Sequence, residues 1–275
     1  MPAPLTTARV FFDGLFTSPR LDHPEGVAVH PRDGSVWCGG EAGQIYRLDP
    51  GGTRIEQVAT TNGFVLGIAF DPSASFLFIC DIVHPGVFRL DLASGEVELF
   101  ADGAGGHRFA NPNYAVFDRH GRMYVSDSRR VDDPGPAVFR YTMDGMGEAW
   151  DERPVDFANG LAMAPDESAL YVVESFRPGV TRVEIGPDGS AGERSLVAEL
   201  PGTVPDGIAF GPDGLLYVAC YEPSQVLRIR PDGRVETVVH DPTAHLLCHP
   251  TNLAFNGTTA YVANLGRWHI STFDI

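Results

Sequence analysis

A residue with a chemically useful side chain stands before five of six similar apolar runs. The runs begin GVAV, GIAF, YAVF, GLAM, GIAF and LAFN. The residues before them are Glu25, Leu66, Asn113, Asn159, Asp206 and Asn252. Five of the six carry a side-chain oxygen. Carboxylate and amide oxygens together suit a hard divalent cation such as Ca²⁺, Mg²⁺ or Mn²⁺, so this set is a candidate cation site.

A simpler interpretation is that some of these residues only form turns. Asn159-Gly160 and Asp206-Gly207 are typical hairpin pairs. Leu66-Gly67 and Asn113-Tyr114, the pairs at the matching positions, are not typical hairpin pairs. This weakens the interpretation that the position only forms a turn. We expect the turn at Asp213-Gly214 instead, and a second one at the Asp-Gly pair 33–34.

A second alternative is that the polar residues only contact water at the mouth of a channel, and this is our expectation for Asn252. For the five polar residues taken together, this alternative is less favoured. Two carboxylates that face each other across a narrow channel repel, and their pKa values rise unless a cation neutralises them. Glu25 and Asp206 would form such a pair.

The six runs belong to six copies of one pattern that recurs every 41 to 47 residues. Each opening run is followed by a turn such as PRDG or PDG, and then by further apolar runs rich in β-branched and aromatic residues. This pattern predicts an all-β chain: a single six-bladed β-propeller domain over residues 1–275, with four antiparallel strands per blade. The sixth copy ends after three strands, so we expect residues 8–14 to complete the last blade and close the ring.

Charge and composition limit the classes of function. The formal net charge is −16 and every basic residue is arginine, so we expect no nucleic-acid or membrane partner and no lysine Schiff base. The N-terminus has no signal-peptide pattern, which predicts a cytoplasmic location. Four cysteines without CxxC spacing indicate buried thiols rather than disulfides or zinc ligands. We expect a monomer or weak homodimer that binds a small molecule.

Four motifs together resemble the senescence-marker-protein/gluconolactonase family, which includes regucalcin-like proteins. They are HPEG, PNYAVFDRHGRMYVSDS, NGLAMAPDESALYVVES and PDGIAFGPDGLLYVACY. The resemblance covers nearly the whole chain and implies a six-bladed propeller that binds one divalent cation in its channel. It implies Glu25, Asn159 and Asp206 as ligands, with Asn113 as a ligand or a substrate contact. Ca²⁺ is the first expectation, with Mg²⁺, Mn²⁺ or Zn²⁺ as alternatives.

The family's activities include lactone hydrolysis, and we expect this chain to be a metal-dependent lactonase of the esterase type. The cation would polarise the lactone carbonyl and activate a water. Asp206 is the first candidate for the general base and Glu25 the second. Candidate substrate contacts are Asn113, Tyr114, His107, Arg108, Glu174, His23 and Tyr221. Glu174 matches Asp127 of the neighbouring copy, and a structural role between blades is an equal alternative for it.

Two departures from the family concern the substrate. The family often has Asn-Asp where this chain has Asn113-Tyr114, and many sugar lactonases have arginine where Asn111 stands. Other functions remain open for such a fold. They are a metal-dependent or metal-free enzyme of secondary metabolism, as in strictosidine-synthase-like bond formation or isomerisation, and a non-catalytic binding propeller.

Overall fold

The computed structural model of the protein describes residues 8–129 and 135–275. Within these ranges all regular elements are β-strands. The described residues contain no helix that is long and apolar enough to cross a membrane. Residues 1–7, part of the N-terminal segment that lacks a signal-peptide pattern, lie outside the described residues.

The strands follow the six copies of the repeat. β1 is Ala8–Asp13. Blade 1 has β2 (Val27–Val29), β3 (Val36–Gly39), β4 (Gln44–Leu48) and β5 (Ile55–Thr60). Blade 2 has β6 (Val65–Phe70), β7 (Phe76–Asp81), β8 (Gly86–Asp91) and β9 (Val97–Ala101). A short ribbon, β10 (Gly103–Ala104) and β11 (His107–Arg108), comes next.

The remaining blades repeat this arrangement. Blade 3 has β12 (Pro112–Phe117), β13 (Met123–Asp127), β14 (Val138–Tyr141) and β15 (Gly147–Asp151). Blade 4 has β16 (Ala158–Met163), β17 (Ala169–Glu174), β18 (Gly179–Ile185) and β19 (Ala191–Glu199). Blade 5 has β20 (Val204–Phe210), β21 (Leu216–Glu222), β22 (Gln225–Ile229) and β23 (Val235–His240). Blade 6 has β24 (Pro250–Asn256), β25 (Thr259–Asn264) and β26 (His269–Asp274).

The N-terminal strand closes the ring, as the sequence predicts. The sixth sheet has the order β1-β26-β25-β24, and β1 pairs antiparallel with β26 from Ala8↔Phe273 to Asp13↔His269. The other five blades are four-stranded antiparallel meanders in chain order. The prediction of a six-bladed propeller is therefore confirmed.

The first strand of each blade lies at the centre. β2, β6, β12, β16, β20 and β24 each contact the first strands of the blades on either side, so together they surround a channel. All six start at the same end of this channel, which we call the mouth.

Most first strands carry a bulge near their start. In β6, for example, Val65 pairs with Asp81 and Ile68 with Ile79, so β6 advances three residues while its partner advances two. The same shift occurs in β12, β16, β20 and β24. A bulge re-aims the side chains that it contains. Here it aims the residues at the channel positions toward the axis.

Apolar clusters between neighbouring blades form the core. One contains Phe78, Phe139 and Tyr141 of blades 2 and 3, and another contains Tyr217, Val262 and others of blades 5 and 6. All four cysteines are buried and free, which agrees with the prediction from their spacing. Sequence reasoning missed the β10–β11 ribbon, because two-residue strands leave no periodic pattern.

Candidate metal centre

The first strands pack so closely that the channel positions can be matched from blade to blade. A Cβ atom added to Gly67 would lie 2.6 Å from the carbonyl oxygen of Asn113, and one added to Gly160 would lie 2.6 Å from that of Asp206. Gly26 meets the carbonyl of Leu66 in the same way, at 2.2 Å. Each glycine thus lies against the channel position of the next blade.

This packing corrects the alignment of the sixth repeat by one residue. A Cβ added to Gly207 would lie 2.7 Å from both the carbonyl oxygen of Thr251 and the Cα of Asn252. Thr251 therefore occupies the channel position, and Asn252 occupies the following one, where other blades have glycine. The Asn252 side chain is fully buried, and its Nδ2 and Oδ1 have no hydrogen-bond partner among the described residues, so the expectation that it contacts water stays a prediction. The motif PTN in place of PDG was the available signal: the two prolines align, which places Thr251 opposite Asp206.

With this correction, the channel positions hold four side chains with unsatisfied oxygens. All four residues are buried, and each has one oxygen without a hydrogen-bond partner among the described residues. These atoms are Glu25 Oε2, Asn113 Oδ1, Asn159 Oδ1 and Asp206 Oδ1. The other two channel positions differ. Leu66 is apolar, and the Thr251 hydroxyl donates to the carbonyl oxygen of Glu25 at 2.7 Å.

The two carboxyl groups perturb each other. Burial raises the pKa of Glu25 well above its usual value, and the nearby charge of Asp206 raises it further. Burial raises the pKa of Asp206 to about 7, and the Asn159 amide offsets part of this effect. The repulsion expected from the sequence is therefore present in the protein without a cation.

A buried serine fixes the orientation of the Asn159 amide. The Ser175 hydroxyl donates to the carbonyl oxygen of Pro205 at 2.6 Å, so it must accept from Asn159, and the Nδ2 of Asn159 lies 3.1 Å from it. The other amide atom, Oδ1, is then the one left for the channel. Ser175 was not singled out from the sequence, because a lone serine after a strand has no distinctive pattern.

This donor set fits a divalent cation. Buried polar atoms almost always have partners, yet four oxygens from four blades lack one here, and two of them belong to acids held near each other. Hard cations bind mixed carboxylate and amide oxygens. Glu25, Asn113, Asn159 and Asp206 could therefore hold the cation expected from the sequence.

Tyr114 and Asn252 occupy the position after the channel residue, and both place a side chain where four blades have glycine. Burial raises the pKa of Tyr114, and the charges of Glu25 and Asp206 raise it further, so Tyr114 lies near both acids. Tyr114 also lines a cavity of about 530 Å³ at the far end of the channel, beside Ile68 and Leu161. It therefore separates the acids from this apolar cavity.

His23 lies at the mouth with two acids that sequence reasoning missed. Its Nδ1 is 3.4 Å from Asp22 and 3.2 Å from Glu41, and the three side chains form a small cluster of possible ligand atoms. The ring of His23 also packs on Trp268, with centroids 4.6 Å apart. Glu41 follows a Gly-Gly pair in a loop, a context without a metal-binding signature.

Tyr221 also lies at the mouth. Its ring stacks on His249 at 4.4 Å, and the His249 Nδ1 lies 3.1 Å from the Tyr221 carbonyl oxygen. Burial raises the pKa of Tyr221, and the charges of Asp206 and, more weakly, Glu41 raise it further. Tyr221 thus lies near both the channel acid and the loop of blade 1.

The structure does not bring His107 and Arg108 to the channel. They are exposed on β11, and the β10–β11 ribbon lies against β15, the outermost strand of blade 3. Arg108 pairs with Asp102. Glu174 accepts a hydrogen bond from Thr181 within blade 4, so both the substrate contact and the structural role between blades stay predictions for it.

Comparison with known proteins gives consistent results. The family model described as "SMP-30/Gluconolactonase/LRE-like region" matches residues 23–264. A 6-deoxy-6-sulfogluconolactonase from Pseudomonas putida is 28% identical over 227 residues, which cover 80% of this chain and 74% of that protein.

Two solved structures share the fold. A gluconolactonase from Xanthomonas campestris superposes with a TM-score of 0.80 at 20% identity, covering 97% of this chain and 89% of that one. A calcium-binding protein, regucalcin, from Agrobacterium tumefaciens superposes with a TM-score of 0.73 at 17% identity, covering 93% and 90%.

Proposed function

Because the chain belongs to the SMP-30/gluconolactonase/LRE-like family, we propose that it is a metal-dependent lactonase. The observation that carries the proposal is the set of four buried, unpartnered oxygens at the channel positions of four blades. The lactonase among its relatives supports the reaction class, and the calcium-binding regucalcin supports Ca²⁺ as the first choice of cation.

Glu25, Asn113, Asn159 and Asp206 would hold the cation. When bound, a divalent cation there polarises a lactone carbonyl and lowers the pKa of a water. All four residues are buried, and Tyr114 lines the apolar cavity at the far end of the channel, so we place the substrate on the opposite side of the set, at the mouth. The lactone would therefore enter from the mouth with its carbonyl group leading.

Asp206 would act as the general base. As a ligand of the cation, the Asp206 carboxylate would lie beside a water bound at the same site, and it would accept a proton from that water as the water attacks the carbonyl carbon. The carbonyl carbon gains a C–O bond, the ring C–O bond then breaks, and the proton passes from Asp206 to the leaving alkoxide oxygen. The product is a hydroxy acid. Glu25, the other acid of the set, is the second candidate for this role.

The test is hydrolysis of lactones by the purified protein before and after chelation, with Asp206→Asn and Glu25→Gln beside the wild type. We expect chelation to abolish activity, addition of one divalent cation to restore it, and each variant to lose at least ~100-fold in kcat/KM. Asp213→Asn is the matched control, since Asp213 lies in a turn and binds Leu215 N and Tyr217 Oη. Full activity after chelation would contradict the proposal.

The cytoplasmic location, the absence of nucleic-acid and membrane partners, and the monomer or weak homodimer stay predictions from the sequence. Size-exclusion chromatography coupled to light scattering would test the oligomeric state directly.

A further inference from the structure

Aromatic side chains surround the mouth at a repeated position. The residue two places before the channel position is His23 in blade 1, Phe64 in blade 2, Phe157 in blade 4 and His249 in blade 6. These residues immediately precede the first strands, so they stand beside the candidate metal centre. Four of the six blades thus place an aromatic or imidazole ring there.

Three of these rings pack against a second ring: Trp268 and Phe176 come from the connection between the second and third strands of their blades, and Tyr221 lies at the end of the second strand of blade 5. We call these six residues the aromatic rim. The pairs are His23–Trp268 at 4.6 Å, Phe157–Phe176 at 4.4 Å and His249–Tyr221 at 4.4 Å between centroids. Paired rings present a large surface with few rotatable bonds, which lowers the entropy lost when a ligand binds.

The backbone of the rim is strained in the same way in three blades. His23, Phe157 and His249 have φ values of 32°, 66° and 48°. Bulky residues rarely adopt this left-handed region, and such strain clusters at functional sites. If this position only had to form a turn, glycine or asparagine would adopt the left-handed conformation with less strain. We therefore expect the rings at this position to have another role.

Part of the rim is exposed rather than buried in the core. Phe176 is 59% exposed although it stacks on Phe157. Tyr221, in blade 5, is half-buried, and its ring stacks on His249 at 4.4 Å between centroids.

Polar side chains that could recognise sugar hydroxyls are used within the protein. The Asn111 amide donates to the Ser128 carbonyl oxygen at 2.9 Å, and Arg129 pairs with Asp127 at 3.1 Å. A polyhydroxylated substrate would therefore find few polar partners at these two positions, whereas an apolar substituent would gain from burial against the rings of the rim.

We propose that the site takes lactones that carry an aryl or alkyl substituent, which binds against the aromatic rim, rather than polyhydroxylated sugar lactones. This proposal rests on the proposed lactonase function and adds its substrate class. The ring carbonyl would lie at the channel positions and the substituent at the mouth.

The test compares δ-lactones that differ only in their substituents: glucono-δ-lactone, δ-valerolactone, δ-decalactone and dihydrocoumarin. Each kcat/KM is divided by the rate constant for hydroxide-catalysed hydrolysis of the same lactone, which removes differences in reactivity. We expect the alkyl and aryl lactones to exceed both δ-valerolactone and glucono-δ-lactone by at least ~10-fold. A glucono-δ-lactone value equal to or above theirs would overturn this proposal and leave the lactonase function standing. Hydrolysis of none of them would overturn the lactonase function, and this proposal with it.

A variant tests whether the aromatic rim causes the preference for substituted lactones. Phe176→Ala removes an exposed ring of the rim and should lower the preference for δ-decalactone over δ-valerolactone, measured as the ratio of the two kcat/KM values, by ~3- to 10-fold. Phe16→Ala is the control, because Phe16 is 94% exposed and stacks on no ring of the rim. A calorimetric comparison of 6-pentyl-2-piperidone with 2-piperidone should show the same change in binding. An unchanged preference in Phe176→Ala by both measurements would contradict the proposal.

Discussion

At the residue scale, the central feature is a pair of buried acids that repel each other in the protein without a cation. Glu25 and Asp206 both have raised pKa values, for which burial is the main cause. Such a pair costs folding free energy when both groups are ionised, and it is retained where function needs the charge. A divalent cation bound by both acids would offset this loss of folding free energy, so stability and cation binding are linked at these two residues.

Asp206→Asn should therefore stabilise the metal-free protein. The folded-state pKa of Asp206, about 7, lies above the ordinary value of 3.8. The loss of stability caused by ionising Asp206 in the folded protein is absent below the unfolded-state pKa. It grows as the pH rises between about 4 and 7 and is complete above the folded-state pKa. With chelator present, we expect the variant to gain on the order of 4 kcal/mol over wild type at pH 8 and much less at pH 4. Denaturant unfolding at both pH values measures this. A variant that is less stable than wild type at pH 8 would refute the account of the pair.

Ser175→Ala should weaken cation binding without removing a ligand. Without the Ser175 hydroxyl, the Asn159 amide is no longer held with Oδ1 toward the channel. We expect a ~10-fold weaker cation affinity, as is typical when a residue that orients a ligand is lost. Isothermal titration calorimetry with Ca²⁺ measures it.

Ser128→Ala is the matched control for this variant. Ser128 is equally buried and its hydroxyl also donates to a carbonyl oxygen of the next blade, that of Ala158, but it touches no channel side chain. Both variants should lose similar stability. Equal cation affinities in the two variants would show that Ser175 has only a structural role.

At the element scale, the bulged first strands place the site. Each bulge turns one side chain toward the axis, and where a glycine follows the channel position it lets the next first strand approach. The sequence predicts the strands, the blade count and the closing strand because apolar alternation and turn residues are local signals. The packing of Gly207 against Thr251 is not local, so the register of the sixth repeat was misassigned at Asn252. The sequence of the β10–β11 ribbon is too short to show a period, and its packing against β15 left His107 and Arg108 away from the channel.

Gly160→Ala should therefore be strongly destabilising. Its Cβ would lie 2.6 Å from the Asp206 carbonyl oxygen and 2.8 Å from the Gly207 Cα, both of which are backbone atoms that cannot rotate away. We expect a loss of about 2 kcal/mol or more in the free energy of unfolding. Gly51→Ala is the control, since its nearest neighbours are side-chain atoms at 3.4 Å and beyond. Similar stabilities of the two variants would mean that the first strands are less closely packed than described.

At the scale of the whole molecule, a cation would join four blades at one point. Glu25, Asn113, Asn159 and Asp206 come from blades 1, 3, 4 and 5, so a ligand held by all of them opposes separation of the blades. The net charge of −16 favours cation binding further at low ionic strength. The protein should therefore unfold at a higher temperature with a divalent cation than without.

The size of this shift follows from mass action. A cation at ~100 times its dissociation constant adds about 2.7 kcal/mol, which corresponds to a rise in Tm on the order of 5–10 °C for a chain of this length. Differential scanning calorimetry with Ca²⁺ and with chelator measures it. The same shift in Asp206→Ala would place the stabilising cation elsewhere, for example at Asp22, His23 and Glu41.

The metal content of the purified protein tests the central claim most directly. Wild type, Asp206→Ala and Asp213→Ala are equilibrated with Ca²⁺, Mg²⁺, Mn²⁺ or Zn²⁺ and desalted, and the bound metal is then measured by mass spectrometry. The account predicts about one divalent ion per chain in the wild type and in Asp213→Ala, and none in Asp206→Ala, because the vacated position removes a charged ligand from the channel. No ion in the wild type with any of the four cations, or an undiminished ion in Asp206→Ala, would contradict the assignment of the channel oxygens as a metal centre.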